Sequence, residues 1–156
     1  MVRCLFKSIL HNIAVVLVGF GVAFIGTTLD RLLGIPGFHS FFATLAGWLF
    51  LSAGFLLRVW AAFYFYAHHL RVISLQPQKM LFTSGPYRFS RNPLYLGGNV
   101  FVFSGAALWM GSPMGLLITV LHLPLVDLFI RREEKQLERD FGENWKHYKN
   151  RVHRWI

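Results

Sequence analysis

From Leu94 the chain reads LYLGGNVFVFSGAALW to Trp109, turns through Met110-Gly111-Ser112, and resumes as PMGLLITVLHLPLVDLFI from Pro113 to Ile130. Two apolar runs separated by so short a connection predict a tight antiparallel helical hairpin. At about 1.5 Å rise per residue both are short for a hydrocarbon core of about 30 Å, so they are thinly embedded or extended by flanking residues. Gly97, Gly98, Gly105 and Gly115 allow close helix contact along the hairpin, or room for a ligand.

Two longer apolar runs precede it, Ile9 to Leu29 and Phe41 to Phe65. The expectation is an all-α polytopic membrane protein with four transmembrane helices near 9-29, 41-65, 94-109 and 113-130, and a helical tail over 131-156. The whole of 1-156 reads as a single membrane-embedded domain. Composition agrees, with 54% hydrophobic residues, 17% aromatics and only 15% charged residues in 156, too apolar for a soluble domain of this size.

Sixteen Lys and Arg against seven Asp and Glu give a formal charge of +9. Because the basic residues flank the apolar runs, anionic lipid headgroups are the expected partner rather than nucleic acid. Arg3 and Lys7 precede the first run; Arg71, Lys79, Arg88 and Arg91 fill the second loop; the tail from Arg131 onward carries eight more, while the first loop has only Arg31 and the third none. By the positive-inside rule both termini and the second loop are cytoplasmic, as in a bacterial inner membrane. The amino-terminal run also resembles a secretory signal, but without a small-residue cleavage site it is expected to stay as the first helix. The one cysteine, Cys4, excludes an intrachain disulfide framework and a thiolate zinc site.

The tail is expected to continue the fourth helix. Ile130, Glu134, Leu137 and Phe141 fall on one helical stripe that ends at Gly142, where helices commonly cap, and Trp145, Tyr148 and Val152 repeat the spacing in a second short helix folding back on the membrane surface.

Two polar blocks meet water at the same face. In the first, Thr83-Ser84-Gly85-Pro86-Tyr87-Arg88, Gly85-Pro86 signals a turn; Pro93 suits the first turn of the third helix and Asn92 its cap. Tyr87, Arg88, Arg91, Asn92 and Tyr95 thus gather where a helix amino terminus favours a carboxylate or a sugar hydroxyl. The plainer reading has the arginines on lipid phosphate and the tyrosines in the interfacial aromatic belt. In the second block, Arg131-Arg132-Glu133-Glu134, carboxylates near hydrocarbon need partners, either Arg131, Arg132 or Arg151, or a ligand cation. S-adenosylmethionine, with its ammonium and carboxylate, calls for both an acidic and a basic residue.

Arg58 and Asp127, both within spans, either snorkel to the interface or face a site, and His122 reads as a packing residue. The pair His68-His69 has no third ligand at metal spacing. No glycine-rich strand-to-helix loop, Walker loop or serine elbow occurs, which excludes the soluble nucleotide-binding and hydrolase folds.

The run Thr83 to Arg88, then Arg91-Asn92-Pro93 with Tyr95 and Gly97, then Glu133-Glu134, Leu137, Phe141-Gly142, Tyr148 and Val152, resembles the isoprenylcysteine carboxyl methyltransferase and phospholipid methyltransferase superfamily. Arg58-Val59-Trp60-Ala61 resembles the segment preceding this motif in bacterial members. The usual pattern is Arg-His-Pro, and Asn92 stands where the histidine would, able to donate and accept hydrogen bonds but not to take a proton.

The resemblance implies a membrane methyltransferase using S-adenosylmethionine, with the cofactor between the last two helices and the folded-back tail and a lipophilic acceptor arriving from the bilayer. Tyr87, Asn92, Pro93, Tyr95 and Gly97 would line the cofactor pocket, with Glu133 and Glu134 closing it. For a carboxylate acceptor Arg91 or Arg151 would place the anion; for an amine or thiol Glu134 would be the base. Two other readings stand beside it: a non-catalytic lipid- or partner-binding scaffold, and a reductase of the NADPH-using kind whose carboxy-terminal end shares this fold, which the double glutamate disfavours.

Overall fold

The computed structural model describes residues 2–68 and 80–156, and helix is the only regular secondary structure among them. His69, Arg71 and Lys79, weighed above as a metal ligand and as loop charges, lie outside the described residues.

Helix α1 runs Val2–Leu33 and α2 runs Phe41–Ala67. Ser40 starts α2: its backbone is extended and its side-chain oxygen accepts from the Ala43 amide at 3.1 Å, satisfying one of the free donors of the first turn. Three stretches, Pro93–Tyr95, Leu96–Val102 and Phe103–Trp109, run end to end as α3, the middle one wound as a π-helix. Asn92 stands at the head of α3, but its side chain does not cap it; the Nδ2 amide donates to the Arg154 carbonyl at 3.2 Å. Helix α4 runs Pro113–Arg151, headed by Ser112, whose hydroxyl oxygen accepts from the Gly115 amide at 2.9 Å.

Three helices, α1, α2 and α4, are long and apolar enough to cross a membrane. The expected third span is helical along its length, but its three parts have only three, seven and seven residues. The large apolar side chains point outward: Leu17, Phe24, Leu32, Phe42, Leu121 and Phe129 are all more than half exposed. The core is instead made of small residues, Ala23, Val102, Ala106 and Ala107 with Leu51. That inversion suits a chain whose outer surface is solvated by lipid rather than water.

Glycine sets how closely the helices approach. A Cβ on Gly54 of α2 would fall 2.5 Å from the Gly97 carbonyl of α3, and one on Gly47 would fall 2.7 Å from the Trp109 amide. The α2–α3 contact is therefore backbone on backbone. At the opposite end of the bundle Asp30 of α1 ties down the start of α4, accepting from the Ser112 hydroxyl at 2.5 Å and the Met114 amide at 3.0 Å.

Gly142 interrupts α4 with φ 51 and ψ −120, at the break the stripe spacing predicts. Beyond it Trp145, Tyr148 and Val152 form a buried cluster against Leu81, Leu137 and Phe141. The tail turns back there onto the loop that leads into α3.

Candidate functional site

The site is assembled where that tail meets the mouth of α3. A 3₁₀ turn, Gly85–Arg88, begins at positive φ on Gly85 and buries Pro86 and Tyr87. Tyr87 packs with Phe65 of α2 and with Phe82. From the tail, the Tyr148 hydroxyl donates to the Tyr87 carbonyl at 2.6 Å. The Arg91 amide donates to the His153 carbonyl at 3.0 Å, and the Ser90 hydroxyl to the Arg154 carbonyl at 3.2 Å. Burial pushes the Tyr87 and Tyr148 hydroxyls well above the ordinary phenol range, so both remain protonated donors at any working pH.

The two glutamates, adjacent in sequence, have different surroundings. Glu134 is 6% exposed and lies between two arginines: Arg91 Nη2 at 3.2 Å from Oε1, and Arg154 with Nε at 3.2 Å and Nη2 at 2.7 Å. Arg154 also reaches Asp127 at 2.9 Å, which in turn pairs with Arg131 at 2.6 Å. The partners the sequence suggested for the glutamates were Arg131, Arg132 and Arg151, and the structure supplies Arg91 and Arg154 for Glu134 instead. Glu133 stands at the open edge, where among the described residues Oε1 accepts only the Tyr95 hydroxyl, at 2.9 Å. Partial desolvation by the surrounding protein raises its carboxyl above the ordinary carboxylate value, and the Tyr95 hydrogen bond offsets part of the shift.

Arg91 lies with its guanidinium 5.6 Å from the centre of the Trp145 ring. Its Nε and Nη1 are buried and have no hydrogen-bond partner among the described residues, and the same is true of the Tyr87 hydroxyl and Trp145 Nε1. Buried donors without partners are uncommon in folded proteins, and here four atoms from three residues lining one cavity share the condition. Its free space is about 60 Å³. A larger cavity, about 490 Å³, adjoins it and shares the walls Phe65, Leu94, Tyr95 and Glu133.

Of the residues singled out from sequence, Tyr87, Arg91, Asn92, Pro93, Tyr95, Glu133 and Glu134 come together around the smaller cavity. Gly97 does not line it; it faces Gly54 and Arg58 across the α2–α3 contact. Arg151 is exposed and donates to the His147 carbonyl of its own helix at 3.3 Å. Sequence reasoning gave no site role to Phe65, Phe82, Trp145 or Arg154. The need of a carboxylate in an apolar stripe for a cation did not single out Arg154, because the tail offers eight lysines and arginines.

Comparison with known proteins agrees with this architecture. The model of the phospholipid methyltransferase family matches residues 42–144. An uncharacterized protein of Haemophilus influenzae is 36% identical over 50 residues, which are 31% of this chain and 79% of that protein. No solved structure matches the chain. The matched span runs from the first turn of α2 past both glutamates to the start of the folded-back tail, so the chain belongs to the phospholipid methyltransferase family.

Proposed function

We propose that the protein is an integral-membrane methyltransferase that uses S-adenosylmethionine to modify a lipophilic acceptor. The observation that carries the reading is the meeting, in one cavity, of unpartnered Arg91 donors with the singly bonded Glu133 carboxylate. A buried cation with free N–H groups opposite a carboxylate complements the two charges of an amino-acid group. The residues present therefore fit this cofactor: Arg91 would take its carboxylate, Glu133 its ammonium, and Tyr87 and Trp145 would offer aromatic walls with one donor each.

When bound, the cofactor supplies a methyl group already activated on a sulfonium. The protein's task is then to align the reactants and exclude water, a contribution for which effective molarities of about 10⁵ M or more are attainable. Glu134, held by Arg91 and Arg154, positions Arg91 and fastens the tail across the pocket. Asn92 does likewise through the Arg154 carbonyl. Glu133 is the freer carboxylate to accept a proton from an amine or thiol acceptor, a role the sequence suggested for Glu134. Of the two cations the sequence suggested for a carboxylate acceptor, Arg91 is taken up by the cofactor in this reading and Arg151 is outside the pocket. The acceptor class comprises an isoprenylcysteine-type carboxylate, a phospholipid amine, and a small hydrophobic thiol or amine.

In this reading four spans cross the membrane, the short α3 among them, with α4 leaving the bilayer after Ile130. The lysine and arginine distribution supports cytoplasmic termini and a cytoplasmic pocket mouth. A scaffold that binds lipid without catalysis is the second reading. One observation favours it: about 60 Å³ is far below the ~300 Å³ at which ligand pockets begin, so cofactor entry requires the tail to move outward.

Isothermal titration of S-adenosylmethionine and S-adenosylhomocysteine into detergent-purified protein tests the proposal. Micromolar binding that disappears in Arg91→Ala and Glu133→Ala supports it. A folded wild-type protein that binds neither compound favours the scaffold.

A further inference from the structure

The larger cavity contains a charge that takes no part in holding the cofactor. Arg58, on α2, is 7% exposed and lines a space of about 490 Å³, within the ~300–1,000 Å³ typical of ligand pockets. Its Nε donates to Asn12 Oδ1 at 2.7 Å, Nη1 donates to the Leu94 carbonyl, and Nη2 lies 3.4 Å from His11 Nε2. All three partners are side chains or carbonyls without a negative charge. The buried or paired carboxylates are committed elsewhere: Asp30 to the start of α4, Asp127 and Glu134 to Arg154, Glu133 to Tyr95.

Two of the five N–H groups of the guanidinium are left over, and its charge has no counter-ion among the described residues. A cation in that condition inside a membrane bundle is costly, and such residues mark ligand or ion sites. The chain also makes room for it. A Cβ at Gly97 would lie 2.7 Å from Arg58 Cγ, and one at Gly98 would lie 2.6 Å from Nη1, so α3 is cut back at two successive positions to admit this side chain.

The rest of the cavity is mostly apolar, with Val15 and Val18 of α1 facing Leu94 and Phe103 of α3. We infer that this cavity binds a single-chain lipophile bearing an anionic head group, a carboxylate or a phosphate, with the anion on Arg58 and the chain against the valine wall. At Arg58 itself an ammonium head would meet a like charge. Its role as the acceptor site rests on the methyltransferase reading. Phe65, Leu94, Tyr95 and Glu133 line both cavities, so this ligand and the cofactor would meet across them.

Binding of radiolabelled oleate to the full-length protein in nanodiscs of phosphatidylcholine, with oleyl phosphate and oleyl alcohol as competitors, tests the inference. In wild type the two anions compete at concentrations at least tenfold below the alcohol. Arg58→Gln abolishes that preference and Arg58→Lys keeps part of it. Val15→Phe, which adds bulk to the valine wall and leaves the arginine in place, weakens all three; it carries the test if Arg58→Gln does not fold. Equal competition by anion and alcohol in wild type, or an anion preference that survives Arg58→Gln, overturns the inference.

S-adenosylhomocysteine titrated into the same preparations separates the two proposals. Cofactor binding without an anion preference sinks the lipid site and leaves the methyltransferase. An Arg58-dependent anion preference without cofactor binding keeps the lipid site and sinks the enzyme.

Discussion

Arg154 of the folded-back tail holds Glu134 of α4 through both carboxylate oxygens, Nη2 to Oε2 at 2.7 Å and Nε to Oε1 at 3.2 Å. Glu134 has a second cation in Arg91, and Arg154 a second carboxylate in Asp127, so the four residues form one network. The pairing fixes the tail over the mouth of α3.

The two ends of the Arg154–Glu134 pair are unequal, and truncating them should show it. Glu134→Ala leaves the buried Arg91 without its counter-ion while Arg154 keeps Asp127, and an uncompensated buried charge costs about 3–5 kcal/mol. Arg154→Ala leaves Glu134 still paired with Arg91, and the Arg154 side chain is 24% exposed, so the loss is about 1 kcal/mol or less. Thermal unfolding in detergent, followed by tryptophan fluorescence, compares them. Equal shifts for the two variants would contradict the network.

Glu133 should govern cofactor affinity without governing stability. Glu133→Gln is expected to weaken S-adenosylmethionine binding at least tenfold while leaving the unfolding temperature unchanged, because the carboxylate has one hydrogen bond to lose and glutamine can still accept it. A pH signature accompanies this. Its carboxyl titrates above the ordinary 4.5, and a ligand ammonium prefers the ionised form, so affinity falls as pH drops through that raised value. Titration calorimetry in neutral and mildly acidic buffers should give a slope in wild type and a flat line in the glutamine variant.

Much of this was legible in the sequence, and the parts that were not share a physical cause. Apolar runs specify helices because a lipid surround demands internally bonded backbone. The break at Gly142 was readable because the stripe of Ile130, Glu134, Leu137 and Phe141 ends there. The identity of Glu134's partners was not, since Arg91 and Arg154 lie 43 and 20 positions away in a sequence that also offers nearer arginines. Only the three-dimensional return of the tail selects between them. That Arg58 has no counter-ion among the described residues was equally hidden, because a lone arginine near a span end reads the same whether it snorkels or turns inward.

Tyr148→Phe tests whether the tail is a fixed wall or a loosely docked cover. The substitution keeps the ring against Trp145 and removes only the hydroxyl that donates to the Tyr87 carbonyl at 2.6 Å. A buried carbonyl left without its donor costs about 1–3 kcal/mol. Limited proteolysis should cut beyond Gly142 sooner in the variant than in wild type, and added S-adenosylmethionine should restore protection. Identical cleavage rates in both proteins would mean that the hydroxyl contributes nothing to docking.

Gly142 separates the requirement for a bend from the preference for helix. Its φ of 51 and ψ of −120 match the first central position of a type II′ turn, and a Cβ there would meet nothing within 4 Å. Any cost of substitution is therefore backbone strain alone, about 1–3 kcal/mol for Gly142→Ala. Asparagine tolerates positive φ better than alanine, so Gly142→Asn should fall between the two. If the segment were merely a frayed continuation of α4, alanine would extend the helix and stabilise the protein by about 0.5–1 kcal/mol. The order of unfolding temperatures, glycine above asparagine above alanine or alanine above both, decides whether the fold needs the tail to turn back at this residue.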